Sequence, residues 1–407
     1  MLFRKVDNRY RSADTTHVSS PYPGTHAVLL RDLKIENYRS FENYKLEGLA
    51  RVNLLVGDNN CGKTSVLEAA YILSRRGDQM AIASVLDDRG DTALVEDRIR
   101  NRQPTLVARL PNLFGSRVSE NPLERRFDLG SVDFGQLALL MTTNAGWKTS
   151  TEKPISGSAL SAIAALSAGD PKDRVMLSHF LGQGETVSAK LLTRDGFLEL
   201  DRFQSLAVDG RSLTKQSEEG ACCFISTKSL APELLKAYWA SLLNNTQESL
   251  AIEAVRIVLP ELTSIVFLPE SHSAPDNRAD VLLDINKQRR SLASFGEGVS
   301  RLLSLGAALG VTQFGRLFID EIDTGLHYSK LSDMWRMVIK AAKKLELQIF
   351  ATSHSLDCIR ALEEACDNDE SLRDEVALFS IDRRMDEAVR YGGDELSVVV
   401  AHEIEVR

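Results

Sequence analysis

Eight residues, Gly57-Asp58-Asn59-Asn60-Cys61-Gly62-Lys63-Thr64, fit the pattern Gly-x-x-x-x-Gly-Lys-Ser/Thr and constrain this chain more than any other stretch. They follow an apolar run, Val52 to Val56, that reads as a buried strand. They precede apolar residues at helical spacing, Val66, Leu67, Ala70 and Leu73. The glycines let the backbone curl until successive N–H groups point inward, and the following helix turns its positive end to the same place. Such a concavity holds a polyphosphate. Lys63 is placed to reach the β- and γ-phosphates and the Thr64 hydroxyl to ligate Mg²⁺, so a nucleoside triphosphate and magnesium are implied together. Gly57, Asn59, Asn60, Cys61, Gly62, Lys63, Thr64 and Ser65 are the candidate binding residues. The plainer alternative, a glycine-rich turn that only caps a helix, does not account for the strand before it.

At 407 residues the chain suits two domains, or one domain carrying a large insertion. Apolar residues make up 43% of it and are interleaved with charge, which indicates a globular chain with a sizeable core. No apolar run reaches the roughly 18 residues of a membrane span. The N-terminus carries Arg4, Lys5, Arg9 and Arg11 and lacks an apolar secretory core, so a cytoplasmic location is the expectation. The five cysteines are odd in number and form no Cys-x-x-Cys pair, which argues against a disulfide framework and against structural zinc. A net charge of −8 supplies no overall attraction for nucleic acid and leaves that partner open only through a local basic patch. The most obvious basic run, Lys287-Gln288-Arg289-Arg290, reads more simply as a solvated face.

Along the chain, residues 1-26 form a polar lead-in, and two stretches, 27-77 and 278-407, share an α/β character. In the first, Val28 to Ile35 reads as a strand, residues 37 to 41 as a turn, Arg51 to Val56 as a strand and Lys63 to Arg75 as a helix. In the second, strands at Val281 to Ile285, Arg316 to Ile319, Gln348 to Ala351 and Glu375 to Ile381 alternate with helices at Gly298 to Leu309, Ser329 to Leu345 and Ser355 to Ala365. This alternation predicts a largely parallel sheet flanked by helices. Residues 78-277 are broken by prolines and read as an insertion. It holds strand pieces at Thr105 to Leu110 and Thr186 to Leu192, and helices at Gly157 to Ser167, Pro232 to Leu243 and Glu248 to Val258.

Leu317-Phe318-Ile319-Asp320-Glu321 is an apolar strand ending in two carboxylates. Asp320 would reach the sheet edge and hold Mg²⁺ through water, and Glu321 would polarise or orient the water that attacks the γ-phosphate. The next strand ends at His354, whose imidazole can sense that phosphate by hydrogen bonding. A third segment, Ser294-Phe295-Gly296-Glu297-Gly298, opens a helix and can bind an anion through free N–H groups.

In this order the segments resemble an ABC-type ATPase head of the class shared by SMC proteins, RecF and the OLD (overcoming lysogenisation defect) family. Asp320-Glu321-Ile322-Asp323-Thr324-Gly325-Leu326-His327 is similar to the corresponding OLD motif, and Leu33 to Phe41 to the first strand of the group. The resemblance implies a P-loop NTPase fold of ABC-ATPase type, with a mixed and helical insertion carrying lobe-II elements. It implies Lys63 and Thr64 as Walker A residues, Asp320 as the Walker B acid, and Glu321 and His354 as catalytic glutamate and switch histidine. Arg39 would lie close to the nucleotide. Ser294, Gly296 and Gly298 would complete the pocket of a second subunit, although Gly296 stands where the family has serine. Gln79, Gln103 and Gln136 remain alternatives for the glutamine that senses magnesium. The segment after His354 is too short for a Toprim nuclease, so the resemblance implies a stand-alone ATPase. Such ATPases pair with a separate effector, a nuclease or toxin, in anti-phage systems such as Septu, PARIS or retrons. A homodimer around ATP and Mg²⁺ is implied. The alternatives are a RecF- or SMC-like ATPase that clamps duplex DNA, and a scaffold that holds ATP without turnover.

Overall fold

Three short strands, Val52–Val56, Arg316–Ile319 and Gln348–Thr352, are buried at every position. Strands covered on both faces need helices above and below, which is the setting of parallel pairing. The protein is described by a computed structural model over residues 28–95, 105–115, 125–143, 174–182, 185–193, 197–199, 221–268 and 281–401. Its elements begin with β1 (Asp32–Tyr38), β2 (Phe41–Glu47), β3 (Val52–Val56), α1 (Lys63–Ser74) and α2 (Gln79–Asp88). Next come β4 (Thr92–Val95), β5 (Thr105–Arg109), β6 (Arg125–Ser131), β7 (Gly135–Thr143), β8 (Arg174–Gly182), β9 (Glu185–Thr193), β10 (Phe197–Glu199) and β11 (Cys222–Ile225). The chain continues through α3 (Pro232–Asn244), α4 (Glu248–Arg256), β12 (Leu262–Phe267), β13 (Val281–Ile285), β14 (Gln288–Ser291) and α5 (Glu297–Val311). It closes with β15 (Arg316–Ile319), α6 (Leu331–Lys344), β16 (Gln348–Thr352), α7 (Leu356–Asn368), β17 (Val376–Ser380), β18 (Val389–Gly392) and α8 (Leu396–Ala401).

The central sheet has the order β11-β15-β16-β3-β17-β18, parallel throughout except for the last pair. Alternating side chains divide its core in two. Val52, Leu54, Leu317, Ile319 and Ile349 face a layer that includes Trp239, Leu302, Trp335 and Ile359 of α3, α5, α6 and α7. Leu55, Phe318, Phe350 and Phe379 face α1 and, beyond it, the antiparallel sheet β2-β1-β6-β7-β8-β9. Sandwiched in this way, α1 is buried at every position except Thr64. Phe318 stacks on Phe350 with ring centroids 5.2 Å apart, and Tyr71 of α1 meets Phe318 edge-on at 5.4 Å.

Residues 78-277, expected as an insertion, supply strands to both sheets. β6 pairs with β1, Ile35 opposite Leu129, and β11 pairs with β15, Cys223 opposite Leu317. Cys223 is therefore an edge-strand residue of the central sheet, and all five cysteines are unpaired. The first strand runs from Asp32 to Tyr38 rather than from Val28 to Ile35, since its pairing with β2 begins at Asp32 opposite Glu47 and ends at Tyr38 opposite Phe41. Lys287, Arg289 and Arg290 lie on the exposed β13–β14 hairpin. The expected lead-in at 1-26 and helix at Gly157 to Ser167 lie outside the described residues.

One buried amide ties the start of β1 to the central sheet. Gln348 donates to Leu30 O at 2.8 Å and Ala50 O at 2.9 Å, and its Oε1 accepts from Leu30 N at 2.9 Å. No other polar side chain on β16 could satisfy all three backbone groups at that reach. Gln348→Ala is expected to lower unfolding stability by about 2–4 kcal/mol, because backbone groups are left buried and unpaired. A chemical-denaturation midpoint unchanged from wild type would show that the amide is not needed.

Candidate functional site

Glycine stands at both ends of the loop between β3 and α1 because the backbone leaves no choice. Gly57 has φ +146°, and a Cβ there would stand 2.6 Å from Ile381 O. Gly62 has φ +105°, and a Cβ would stand 2.5 Å from the Phe41 ring. Asn59 and Asn60 are exposed at the tip, and Cys61 is tucked beneath it, its thiol pushed up by burial. Lys63, 9% exposed, folds over the loop and donates to Gly57 O and Asp58 O, both at 2.7 Å. No side chain caps α1, and its first turn carries no acid. The Lys63 ammonium therefore lies against the loop at the uncapped, positive end of α1, an arrangement that suits an anion.

The other half of the site comes from 256 residues away. Thr64 Oγ1 lies 3.1 and 3.2 Å from the two carboxylate oxygens of Asp320. Thr352, the last residue of β16, donates to Asp320 Oδ1 at 2.6 Å and accepts from Glu321 N at 2.8 Å. Glu321 sits at φ +48°, a conformation uncommon for a side-chain-bearing residue. Thr324 Oγ1 donates to its Oε2 at 3.1 Å, and His354 Nδ1 lies 3.7 Å from its Oε1. Arg301, buried on α5, anchors the pair from behind by donating to Asp320 O and, at 3.1 Å, to Glu321 O. Its third contact is Ser226 O. Burial lowers the Arg301 guanidinium from its ordinary value while Asp320 and Glu321 oppose the fall.

Lys63, Thr64, Asp320, Glu321 and His354 are therefore brought together. Arg39 and Ser65 turn to partners behind the loop. Arg39, at φ +50°, pairs with Glu68 of α1 at 2.8 Å and with Asp91 at 3.3 Å. Ser65 accepts from Arg89 at 3.2 Å. Arg89 also meets Glu68 at 2.6 Å, so one buried carboxylate sits between two guanidinium groups directly behind the phosphate loop. Burial pushes the Glu68 carboxyl up, and Arg39 and Arg89 oppose the rise. Ser294 Oγ donates to Ser291 O at 2.6 Å. Gly298 lies against Gly325 O, a contact that leaves no space for a Cβ, whereas Gly296 has open space where a Cβ would be. Gln79 opens α2, Gln136 is exposed on β7, and Gln103 lies outside the described residues. Thr352, Arg301 and Glu68 were not singled out as site residues from the sequence. Thr352 sits two positions before His354, the one local hint.

Two hard oxygen donors about 3 Å apart are what neighbouring positions of a magnesium octahedron require. Thr64 and Asp320 fit that demand. Among the described residues no group of three or more His, Cys, Asp or Glu could hold a metal ion, so magnesium here would need phosphate oxygens as well.

Residues 29–107 match the AAA ATPase domain family. An ATP/GTP phosphatase of Helicobacter pylori is 20% identical over 343 residues, which cover 83% of this chain and 88% of that protein. The DNA replication and repair protein RecF of Exiguobacterium sp. is 30% identical over 100 residues, 24% of this chain and 27% of that protein. Among solved structures, the Smc head bound to the C-winged helix domain of ScpA aligns over 90% of this chain and 98% of that one, at 11% identity and a TM-score of 0.42. Over residues 29–107 the chain is thus similar to ATPase domains of the AAA kind, a likeness that implies ATP as the ligand. Among the described residues no helix is long and apolar enough to cross a membrane.

Glu68→Gln leaves the part-buried Arg39 and the more exposed Arg89 against a neutral amide. It is expected to destabilise the fold by about 1–3 kcal/mol, the scale of a lost charge-assisted hydrogen bond where the cations keep solvent or a second carboxylate. Thermal melts of Glu68→Gln and wild type that coincide would remove the ion pairs from the account of how α1 is held.

Proposed function

We propose that this protein is a magnesium-dependent ATPase of ABC type, closing as a homodimer around ATP and controlling a separate effector, a nuclease or toxin, in anti-phage defence. The observation that carries the catalytic part is the approach of Thr64 to Asp320 across 256 residues, with Lys63, Glu321 and His354 beside them. In this reading the Lys63 ammonium leaves the loop carbonyls for the β- and γ-phosphates, and Thr64 and Asp320 hold the metal. Magnesium, when bound, neutralises charge developing on the phosphate oxygens. Glu321 accepts a hydrogen bond from the attacking water and sets its line of approach, held at that position by Arg301 and Thr352. His354, half exposed beside Glu321, meets the γ-phosphate. Attack forms the new P–O bond as the bond to the ADP oxygen breaks.

The dimer is supported by Gly296, whose surroundings in its own chain give no packing reason for glycine. The defence role rests on the likeness of residues 320 to 327 to the OLD motif, and a cytoplasmic site goes with it. A second reading, an ATPase that clamps duplex DNA, is favoured by one feature. The groove of about 550 Å³ between α4 and α6 is lined by Arg256, Lys330, Arg336, Lys340 and Lys344 against Glu253 and Asp333, in a chain that is acidic as a whole.

Glu321→Gln is expected to slow ATP turnover by at least about 100-fold while ATP still binds. With ATP and Mg²⁺ it should accumulate as a dimer in light scattering. Lys63→Ala is expected to weaken binding itself, and chelation of magnesium to stop turnover. Equal turnover by wild type and Glu321→Gln would overturn the catalytic assignment. For the second reading, stimulation of turnover by duplex DNA that fades steeply between two salt concentrations is the expected sign. Its absence leaves the effector-controlling ATPase.

A further inference from the structure

The phosphate loop has a second wall that the residues around Asp320 do not form. A cleft of about 450 Å³ lies between residues 57 to 61 of the loop and residues 380 to 384, where the chain leaves β17. Sheet order decides what belongs there. Asp320 and His354 follow β15 and β16, on one side of β3, while β17 is the neighbour on the other. A triphosphate whose γ end meets Thr64, Glu321 and His354 therefore carries its sugar and base out over the β17 side.

The turn that waits there is fixed to the loop and to the antiparallel sheet. Ile381 N donates to Val56 O at 2.8 Å, and Gly57 lies so close to Ile381 O that no Cβ fits between them. Asp382 N donates to the Tyr44 hydroxyl at 3.3 Å, and Ala388 N to Lys45 O at 2.9 Å. On this anchored turn Asp382 grips Arg384: Nε lies 2.9 and 3.1 Å from the two carboxylate oxygens and Nη2 lies 2.7 Å from Oδ2. Arg384 in turn holds the Asp382 carboxyl down to about 2, so the pair is lost only as pH falls through that value. One edge of the guanidinium is thus occupied while its side chain remains 79% exposed. What it offers a ligand is a flat cationic face, and such a face stacks on planar aromatic rings whatever their edges carry.

We propose that the cleft between residues 57 to 61 and 380 to 384 is the nucleoside subsite, and that Arg384 stacks on the base. This rests on the nucleotide-binding reading above. Because contact is made with the face of the ring, ATP and GTP are held alike.

Calorimetric titration of the full chain with ATP, GTP and inorganic tripolyphosphate, each with Mg²⁺, separates the two claims. Arg384→Ala is expected to weaken ATP and GTP by a common factor of about ten and to leave tripolyphosphate binding unchanged. Arg384→Lys keeps the charge without the plane and is expected to behave like Arg384→Ala. Equal losses for ATP and tripolyphosphate would make Arg384 a phosphate contact and overturn the proposal. So would rescue by lysine, unequal losses for ATP and GTP, or unchanged ATP affinity. Tripolyphosphate binding that survives Lys63→Ala unaltered tells against the phosphate-loop reading itself, whatever the Arg384 variants do. Arg384 is a surface side chain, and a thermal melt of each variant confirms the fold.

Discussion

Parallel pairing of β15, β16 and β3 is the constraint on which the candidate site depends. Ile319 stands opposite Ala351, and Ala351 opposite Leu54, so the chain leaves all three strands at one edge of the sheet. The phosphate loop, the Asp320–Glu321 pair and His354 emerge there together. Register matters as much as direction. A slip of one residue in β15 would turn Phe318 away from α1 and put Leu317 in its place, losing the stack on Phe350 along with the approach of Asp320 to Thr64.

Buried charge then sets orientation within that frame. Arg301 occupies volume that leucine could fill, but only a guanidinium reaches three carbonyl oxygens at once, two of them on Asp320 and Glu321. Glu68 does the same for α1, holding Arg39 from the β1–β2 turn and Arg89 from the end of α2 one helical turn after Thr64. Burying such groups is costly unless every partner is present. The helix that begins the phosphate site and the strand that carries its acids are each held by a charge whose loss would be felt in the fold.

Secondary structure was readable wherever burial gave a simple period. The strand at Arg316 to Ile319, the helices that became α3 and α5, and the loop at 57 to 64 all lie where apolar spacing and glycine placed them. Within residues 78-277, β6 and β11 escaped that reading because each joins its sheet through a strand distant in sequence. β11 is four residues of ordinary composition, Cys222 to Ile225, and becomes a strand by pairing with β15. The site divides in the same way. Lys63, Thr64, Asp320 and Glu321 announce themselves by type and spacing. Thr352, Arg301 and Arg384 do not, since a threonine, a helical arginine and a turn arginine are common everywhere until their neighbours are known.

By itself, then, the amino-acid order determined which groups are candidates for chemistry: a glycine-bounded loop with its lysine and threonine, two adjacent acids after an apolar strand, and a histidine after the next. Their local geometry needs only glycine's conformational freedom and the burial of short apolar runs. Tertiary structure alone decided that they meet, that Arg39 faces Glu68, and that the β17–β18 turn stands beside the phosphate loop. Those outcomes rest on hydrogen bonds between strands and on ion pairs between layers, and such bonds join residues that no window along the chain contains.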